Sequence, residues 1–358
     1  MPQFGVGIVP SGAIGTELAS ITRRAFIPKL VVQLYKSTPM LSLLLRNAKR
    51  ARGGVSQVTI PVQGSSYVGF SWSDYLGSFP QPQVLPGTQN AEFNLKLGVV
   101  PIPFLGMEGL IQSSEVVIPL LKARMADAKT VAVQTISTSL LASTNNAALA
   151  GQTQIDNLFE VTDDGTNVPT YGGITRSGNA FWNGQLVTLG TAGAILTRTS
   201  FIRWLVQASV GATVAGGGNP TYGVSNGGGG EACDFVVMAP GDWTQLMTDF
   251  MSLEQFQTSP GTRYGNDDPV NAGFRGLMLG NTPIFFDPFC PKGTAYVLNS
   301  RYLALYMSED APFAFSGFYS AIPNLQIANI GVLIVVFNVI CSKPAAQMRL
   351  AGITGGAF

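Results

Sequence analysis

The 358-residue sequence contains no histidine. That removes the usual general base near neutral pH, the commonest metal ligand, and every Ser-His or Cys-His nucleophile pair. Cysteine is scarce: Cys233, Cys290 and Cys341 are far apart, odd in number and outside any CxxC pattern, so neither a disulfide framework nor a zinc site is indicated. They read as buried free thiols. Charge is also scarce. Only 11% of residues are charged, against about 25% in ordinary soluble domains, while 46% are hydrophobic and the mean hydropathy is +0.26. So little charge cannot coat a free monomer, and much of the surface is expected to be interface. Long apolar runs are missing too. The strongest, Ile327 to Ile340, carries Asn329 and Asn338 and falls short of the ~20 residues of a spanning helix. Its Val332, Ile334, Val335, Val336, Val339 and Ile340 predict a buried strand, and no membrane partner is expected. The opening MPQFGVGIVPSG lacks the charged start and apolar stretch of a secretory signal, which predicts synthesis and assembly in the cytoplasm.

The search for chemistry finds little. Gly223-Val224-Ser225-Asn226-Gly227 fits the GxSxG elbow, but it sits in a glycine-rich stretch, residues 211 to 230, with no strand before it and no histidine to activate it. No phosphate-binding loop is present. The carboxylate neighbours Asp163-Asp164, Asp267-Asp268 and Glu309-Asp310 fall in polar turns, and read as solvated loops or salt bridges between subunits. No catalytic residue, metal ligand or cofactor is assigned.

What is there is an uneven charge distribution and a distinctive order of parts. Residues 1 to 53 hold Arg23, Arg24, Lys29, Lys36, Arg46, Lys49, Arg50 and Arg52 against Glu17 alone, a net of +7, which leaves −6 for the rest. Such a basic arm suits nucleic acid phosphates or acidic patches on a neighbouring subunit. Within it Thr16 is a candidate helix cap, and Thr38 and Pro39 predict a cap and first helical position leading into Met40 to Leu45. Alternation at Val58, Ile60, Val62 and again at Phe93, Leu95, Leu97, Val99 predicts two paired antiparallel strands. The span between them, with Tyr67, Phe70, Trp72, Tyr75 and Phe79 and the single charge Asp74, would be an aggregation hazard in water. It either folds back on its own domain or reaches across a neighbour. After Pro119 no proline or glycine occurs until Gly151, and Val117, Leu121, Met125, Ala128, Ala132, Ile136 and Leu140 recur at helical spacing, predicting one long amphipathic helix. Beyond it, strands at Phe235 to Met238 and Pro283 to Phe286 and helices at Ser200 to Ser209 and Asp242 to Met251 indicate an α+β domain.

This order resembles the major capsid proteins of tailed bacteriophages, the Hong Kong 97 type of fold. Local text agrees: Tyr171-Gly172-Gly173-Ile174-Thr175-Arg176 with Trp182 downstream, after Ile155-Asp156-Asn157-Leu158, is similar to the passage entering that family's axial domain. Asn299-Ser300-Arg301-Tyr302-Leu303 and Pro344 to Leu350 resemble later landmarks. The resemblance implies an N-terminal arm at 1–53, an E-loop at 54–103 and a peripheral domain at 104–155 and 311–348 with a spine helix at 117–150. It places an axial domain at 156–310 and a tail at 349–358. It implies self-assembly into pentamers and hexamers closing an icosahedral virion shell around double-stranded DNA, with Tyr67, Phe70, Trp72, Tyr75 and Phe79 at a subunit interface. Portal, scaffolding and decoration proteins are further partners it admits, and a scaffolding segment within the chain is not expected. An encapsulin-type compartment packaging enzymes is the nearest alternative; a hydrolase resting on Ser225 and an outer-membrane barrel are remoter ones, the long helix arguing against a barrel.

Some members of that family weld subunits through an E-loop lysine. Residues 53 to 95 contain none, and Lys96 lies on the return strand. Mature particles are therefore expected to dissolve to single chains on a denaturing gel; a covalent ladder would contradict this.

Overall fold

The computed structural model describes residues 38–51, 56–63, 88–105, 114–145, 154–189, 194–210, 233–251, 276–279, 282–309, 314–320 and 328–354. In chain order the elements are α1 (Pro39–Arg46), β1 (Lys49–Ala51), β2 (Gln57–Gln63), β3 (Thr88–Asn94), β4 (Lys96–Leu105), α2 (Ser114–Leu140), α3 (Leu158–Val161), β5 (Thr170–Tyr171), β6 (Ile174–Thr175), β7 (Gln185–Thr188), β8 (Ala194–Ile195), α4 (Arg198–Val210), β9 (Phe235–Met238), α5 (Pro240–Met251), β10 (Gly276–Leu279), β11 (Thr282–Phe286), β12 (Thr294–Leu298), β13 (Leu303–Ser308), β14 (Ala314–Ser320), β15 (Ala328–Cys341), β16 (Met348–Ala351) and β17 (Ile353–Thr354). The chain divides into two units, a smaller one of Met1–Lys36, Val99–Gln134 and Phe313–Ile334, and a larger one holding the rest.

In the larger unit a mixed sheet runs β10-β11-β9-β12-β16-β7. Its central strands carry side chains that are apolar on both faces, as a sheet covered on both sides requires. In β9, Phe235 and Val237 enter one core with Phe285, Tyr296 and Leu298. Val236 and Met238 enter the other with Ile284, Ala295, Val297, Met348 and Leu350. Helices α4 and α5 close the second core through Phe201, Ala208, Leu246 and Phe250. The first core continues to β13 and the C-terminal half of β15, paired antiparallel from Leu303↔Cys341 to Met307↔Phe337. β1 lies parallel to β13 on its other side, with Lys49↔Tyr306. In the smaller unit β14 pairs antiparallel with the first half of β15, bulging between Phe315 and Phe318, and Arg124 on α2 donates to the carbonyl of Pro103 at 3.2 Å.

The expected strands at Phe235 to Met238 and Pro283 to Phe286 and the two expected axial-domain helices are present. Four expectations change. The long helix begins at Ser114 and ends at Leu140, short of residue 150. The Ser143-Thr144-Asn145-Asn146 run is poor helix-forming sequence that competes for backbone hydrogen bonds, and the Thr144 carbonyl is taken by the Asn157 amide at 2.6 Å. Thr38 makes no side-chain cap for α1. The Asp287 carboxylate, remote in sequence, accepts from the Met40 amide at 3.3 Å instead. The return strand breaks at Leu95: β3 pairs with β2 through Asn94, and Ala91 and Phe93 are buried, whereas Leu97 and Val99 on β4 are 61% and 51% exposed. Residues 349–354, read as the start of a tail, lie in β16 and β17, where Arg349 and Leu350 are buried between β12 and β7.

Gly184 tests how tightly this unit is closed. A Cβ there would sit 2.4 Å from the Thr162 carbonyl carbon, backbone against backbone, while Gly173 at φ +76° has nothing within 4 Å of an added Cβ. Gly184→Ala is expected to destabilise by about 3 kcal/mol or more through forced backbone displacement, and Gly173→Ala by about 1 to 2 kcal/mol from left-handed strain alone. Denaturant unfolding of the soluble subunit measures both.

Candidate assembly site

The passage from Ile155 to Trp182 is a buried cluster that seats the β2–β3 hairpin. Asn157 caps α3, its side chain accepting from the Glu160 amide at 2.9 Å. β5 and β6 are joined by Gly172 and Gly173 with φ of +55° and +76°, the two left-handed residues that a tight hairpin turn demands. Gly172 has a second reason to be glycine: its missing Cβ would lie 2.5 Å from the Phe93 ring. Phe93 packs edge-on against Tyr171, ring centroids 5.1 Å apart, and the Glu92 amide donates to the Gly172 carbonyl at 2.8 Å. The Tyr171 hydroxyl accepts from the Cys341 amide at 3.1 Å, and Trp182 donates through Nε1 to the Tyr171 carbonyl at 2.8 Å.

Behind the turn Arg176 is 1% exposed. Its guanidinium donates to the carbonyls of Glu160 at 2.6 Å, Val168 at 3.2 Å, Val161 at 3.4 Å and, through Nε, Trp182 at 3.4 Å. Its Nη1 lies 3.8 Å from the Asp163 carboxylate, and its plane sits 5.4 Å from the Tyr171 ring. Asp163 is not in a solvated loop, as the sequence suggested; it is wholly buried. It folds the following loop by accepting from the amides of Gly165, Asn167 and Val168 and from the Asn167 side chain at 2.8 to 3.0 Å. Burial alone would raise this carboxyl, but those hydrogen bonds outweigh it and hold it below the ordinary value. Its other oxygen faces Arg349 of β16 at 3.5 Å. Arg349 stacks 3.9 Å over Phe159 and lies beside the buried Tyr296 hydroxyl. Burial lowers both arginines, with the Asp163 carboxylate among the groups that oppose the shift.

A second polar junction ties the hairpin to β15. The buried Asn338 side chain donates to the Asn94 carbonyl at 2.9 Å and to the Asp156 carboxylate at 3.0 Å, and accepts from the Asp156 amide at 2.9 Å. Burial pushes the Asp156 carboxyl up to about 6, against the opposing pull of Asn338 and the Lys96 charge. A third junction explains the later landmark: Asn299 and Gln347 exchange reciprocal bonds at 2.9 and 3.1 Å, and the Asn299 side chain turns the chain by accepting from the Arg301 amide at 3.0 Å.

Of the sequence-predicted assembly residues, Arg46, Lys49 and Arg50 are exposed on α1 and β1. Arg23, Arg24, Lys29, Lys36 and Arg52 lie outside the described residues. So do Tyr67, Phe70, Trp72, Tyr75 and Phe79, the Gly223 to Gly227 motif and the first predicted helix. Cys233, Cys290 and Cys341 are buried, and burial pushes their thiols up, Cys233 to about 11 and Cys341 to about 12. Among the described residues no group of three or more Cys, Asp or Glu is placed to hold a metal, and no helix is long and apolar enough to cross a membrane.

Solved structures of shell subunits superpose on nearly the whole chain. The capsid asymmetric unit of Cyanophage A-1(L) matches with a TM-score of 0.68 at 14% identity, covering 95% of this chain and 99% of that one. The encapsulin of Synechococcus elongatus PCC 7942 matches at 0.54 and 10% identity, covering 95% and 97%. The capsid of Myoviridae Phage XM1 matches at 0.52 and 12%, covering 97% and 100%. No family model and no curated protein matches. The fold is thus that of shell-building proteins. More narrowly, it is the Hong Kong 97 type fold, which phage capsid and encapsulin subunits share.

Two consequences are measurable. Arg176→Met leaves a buried carboxylate and four carbonyls short of donors, and is expected to cost about 3 to 5 kcal/mol in denaturant unfolding. For Asp156 the folded carboxyl titrates near 6, above the ordinary 3.8, so its favourable contribution is complete below 3.8 and is lost as pH rises through 6. Asp156→Asn is therefore expected to stabilise by about 3 kcal/mol at pH 8, at 1.36 kcal/mol per unit, and by much less at pH 5. Equal effects at both pH values would refute this.

Proposed function

We propose that the chain is the major capsid protein of a tailed phage, assembling into pentamers and hexamers that close an icosahedral shell around double-stranded DNA. The observation that carries this is the superposition on the cyanophage capsid subunit over 95% of the chain at a TM-score of 0.68, against 0.54 for the encapsulin. In this reading the β2–β3 hairpin is the base of an E-loop spanning 54–103, α2 is the spine helix of a peripheral domain, and the doubly covered sheet is the axial domain, in which β16 joins strands drawn from 156–310. Residues 1–53 form the arm, and the aromatic residues between Tyr67 and Phe79 lie over a neighbouring subunit; the low charge and the sticky hairpin then have one cause, heterologous contacts that close by rotation and bury them. The capsid of Phage G includes decoration proteins. Portal, scaffolding and decoration proteins are proposed partners here, and the site of action is the virion. The encapsulin match supports a second reading, a protein compartment with enzyme cargo.

Electron microscopy of the purified protein after size-exclusion chromatography tests assembly. Closed shells or five- and six-fold rings are expected, and a monomer at every concentration, with and without phage scaffolding factors, would refute the proposal. Nuclease-protected DNA in the shells separates the genome reading from the compartment, which would hold protein. Replacing Trp72 and Phe79 together with alanine is expected to raise the concentration needed for assembly by about tenfold or more, the scale of lost aromatic anchors, with the subunit's Tm unchanged.

A further inference from the structure

In the larger unit three cations from distant parts of the chain stand on two tyrosines. Tyr302, immediately ahead of β13, and Tyr306 within it are four residues apart, so strand periodicity puts them on one face. The alternate residues Leu303, Leu305 and Met307 face the core. Lys49 arrives beside Tyr306 through the parallel β1–β13 register, its Nζ 5.6 Å from the ring centroid. Lys343 is delivered to Tyr302 by the end of β15, where the Ser342 amide donates to the Tyr302 carbonyl at 2.9 Å; its Nζ is 5.3 Å from that ring. The guanidinium of Arg301 lies 5.9 Å from the same ring. Lys49 and Arg301 are exposed, and the tyrosines and Lys343 half-buried. Exposed Arg46 and Arg50 flank Lys49 in sequence on α1 and β1.

We infer that this ledge is a contact for the nucleic acid backbone. The inference rests on the genome-shell reading and specifies which surface of the subunit would face the DNA. Cations held over aromatic faces keep their charge while losing the freedom of a long side chain. The two tyrosines are about 13 Å apart along the strand, about four nucleotide steps at 3.4 Å per phosphate. Two carboxylates stand nearby, Asp234, which accepts from the amide and hydroxyl of Ser300, and Glu309, whose amide donates to the Ala51 carbonyl at the end of β1; Lys49, Arg301 and Lys343 outnumber them. The ledge has no base-reading geometry, so binding is indifferent to sequence and falls with salt.

The test measures binding of unassembled subunits to a duplex of about 30 base pairs by fluorescence anisotropy across a salt series. It compares the natural chain with Lys49→Gln/Arg301→Gln/Lys343→Gln, with shell formation followed separately. The triple variant is expected to bind about tenfold or more weakly at low salt, with its log–log salt slope shallower by about 2 to 3, while shells still form. Lys49→Gln/Arg301→Gln, which spares the half-buried Lys343, should show about two thirds of that change in slope. Unchanged affinity and slope in both variants would overturn the inference. Loss of shells with duplex binding intact would also overturn it, assigning the ledge to an acidic patch on a neighbouring copy. Natural chain that forms shells but does not bind the duplex refutes the ledge alone, whereas failure to form any shell refutes the reading beneath it.

Discussion

One buried carboxylate organises the larger unit. Asp163 closes its own loop with four hydrogen bonds, faces Arg176 on one side and Arg349 on the other, and is sealed from solvent. Arg176 in turn fixes the carbonyls of Glu160 and Val161 in α3 and those of Val168 and Trp182, and Arg349 carries the link into β16 of the central sheet. Buried charges gain little net stability, because desolvation offsets their attraction, but removing one partner is costly. The effect is that the α3 end, the Asp163 loop and β16 are tied to one another by charge and carbonyl contacts that a different loop arrangement would break.

Much of the fold was legible because it rests on local rules. Phe235 to Met238 reads as a strand from its continuous apolar run, Asp242 to Met251 as the helix α5, and the apolar spacing before Leu140 as the long helix α2. The misses share a physical cause, partners distant in sequence. Nothing near Thr38 shows that Asp287 will cap α1, and nothing near Asp163 shows that Arg349 will reach it. Leu97 and Val99 continue the alternation of Phe93, and only the pairing of β2 with β3 reveals that the strand breaks between them. The landmark residues looked soft in sequence because their reasons are tertiary: Asn299 answers Gln347, and Gly172 answers the Phe93 ring.

The matches at 10 to 14% identity show what such a fold asks of its sequence. Backbone positions persist over nearly the full chain while most side chains differ, as expected when packing and hydrogen-bond satisfaction, not a reacting constellation, are what must be kept. The absence of histidine fits this economy, since the polar groups described here act as ties between segments.

The hairpin's root has a consequence for how such shells diversify. It is held by the Phe93 ring over Gly172, the Glu92 amide on the Gly172 carbonyl, the Asn338 amide on Asn94, the Gln89 bond to Asn179, and the packing of Ala91, Val58, Ile60 and Val62 on the core. None of these reads the identity of residues 64–87. Descendants of this chain can therefore lengthen, shorten or rewrite that segment without renegotiating the core: the mount is inherited and what it carries is interchangeable.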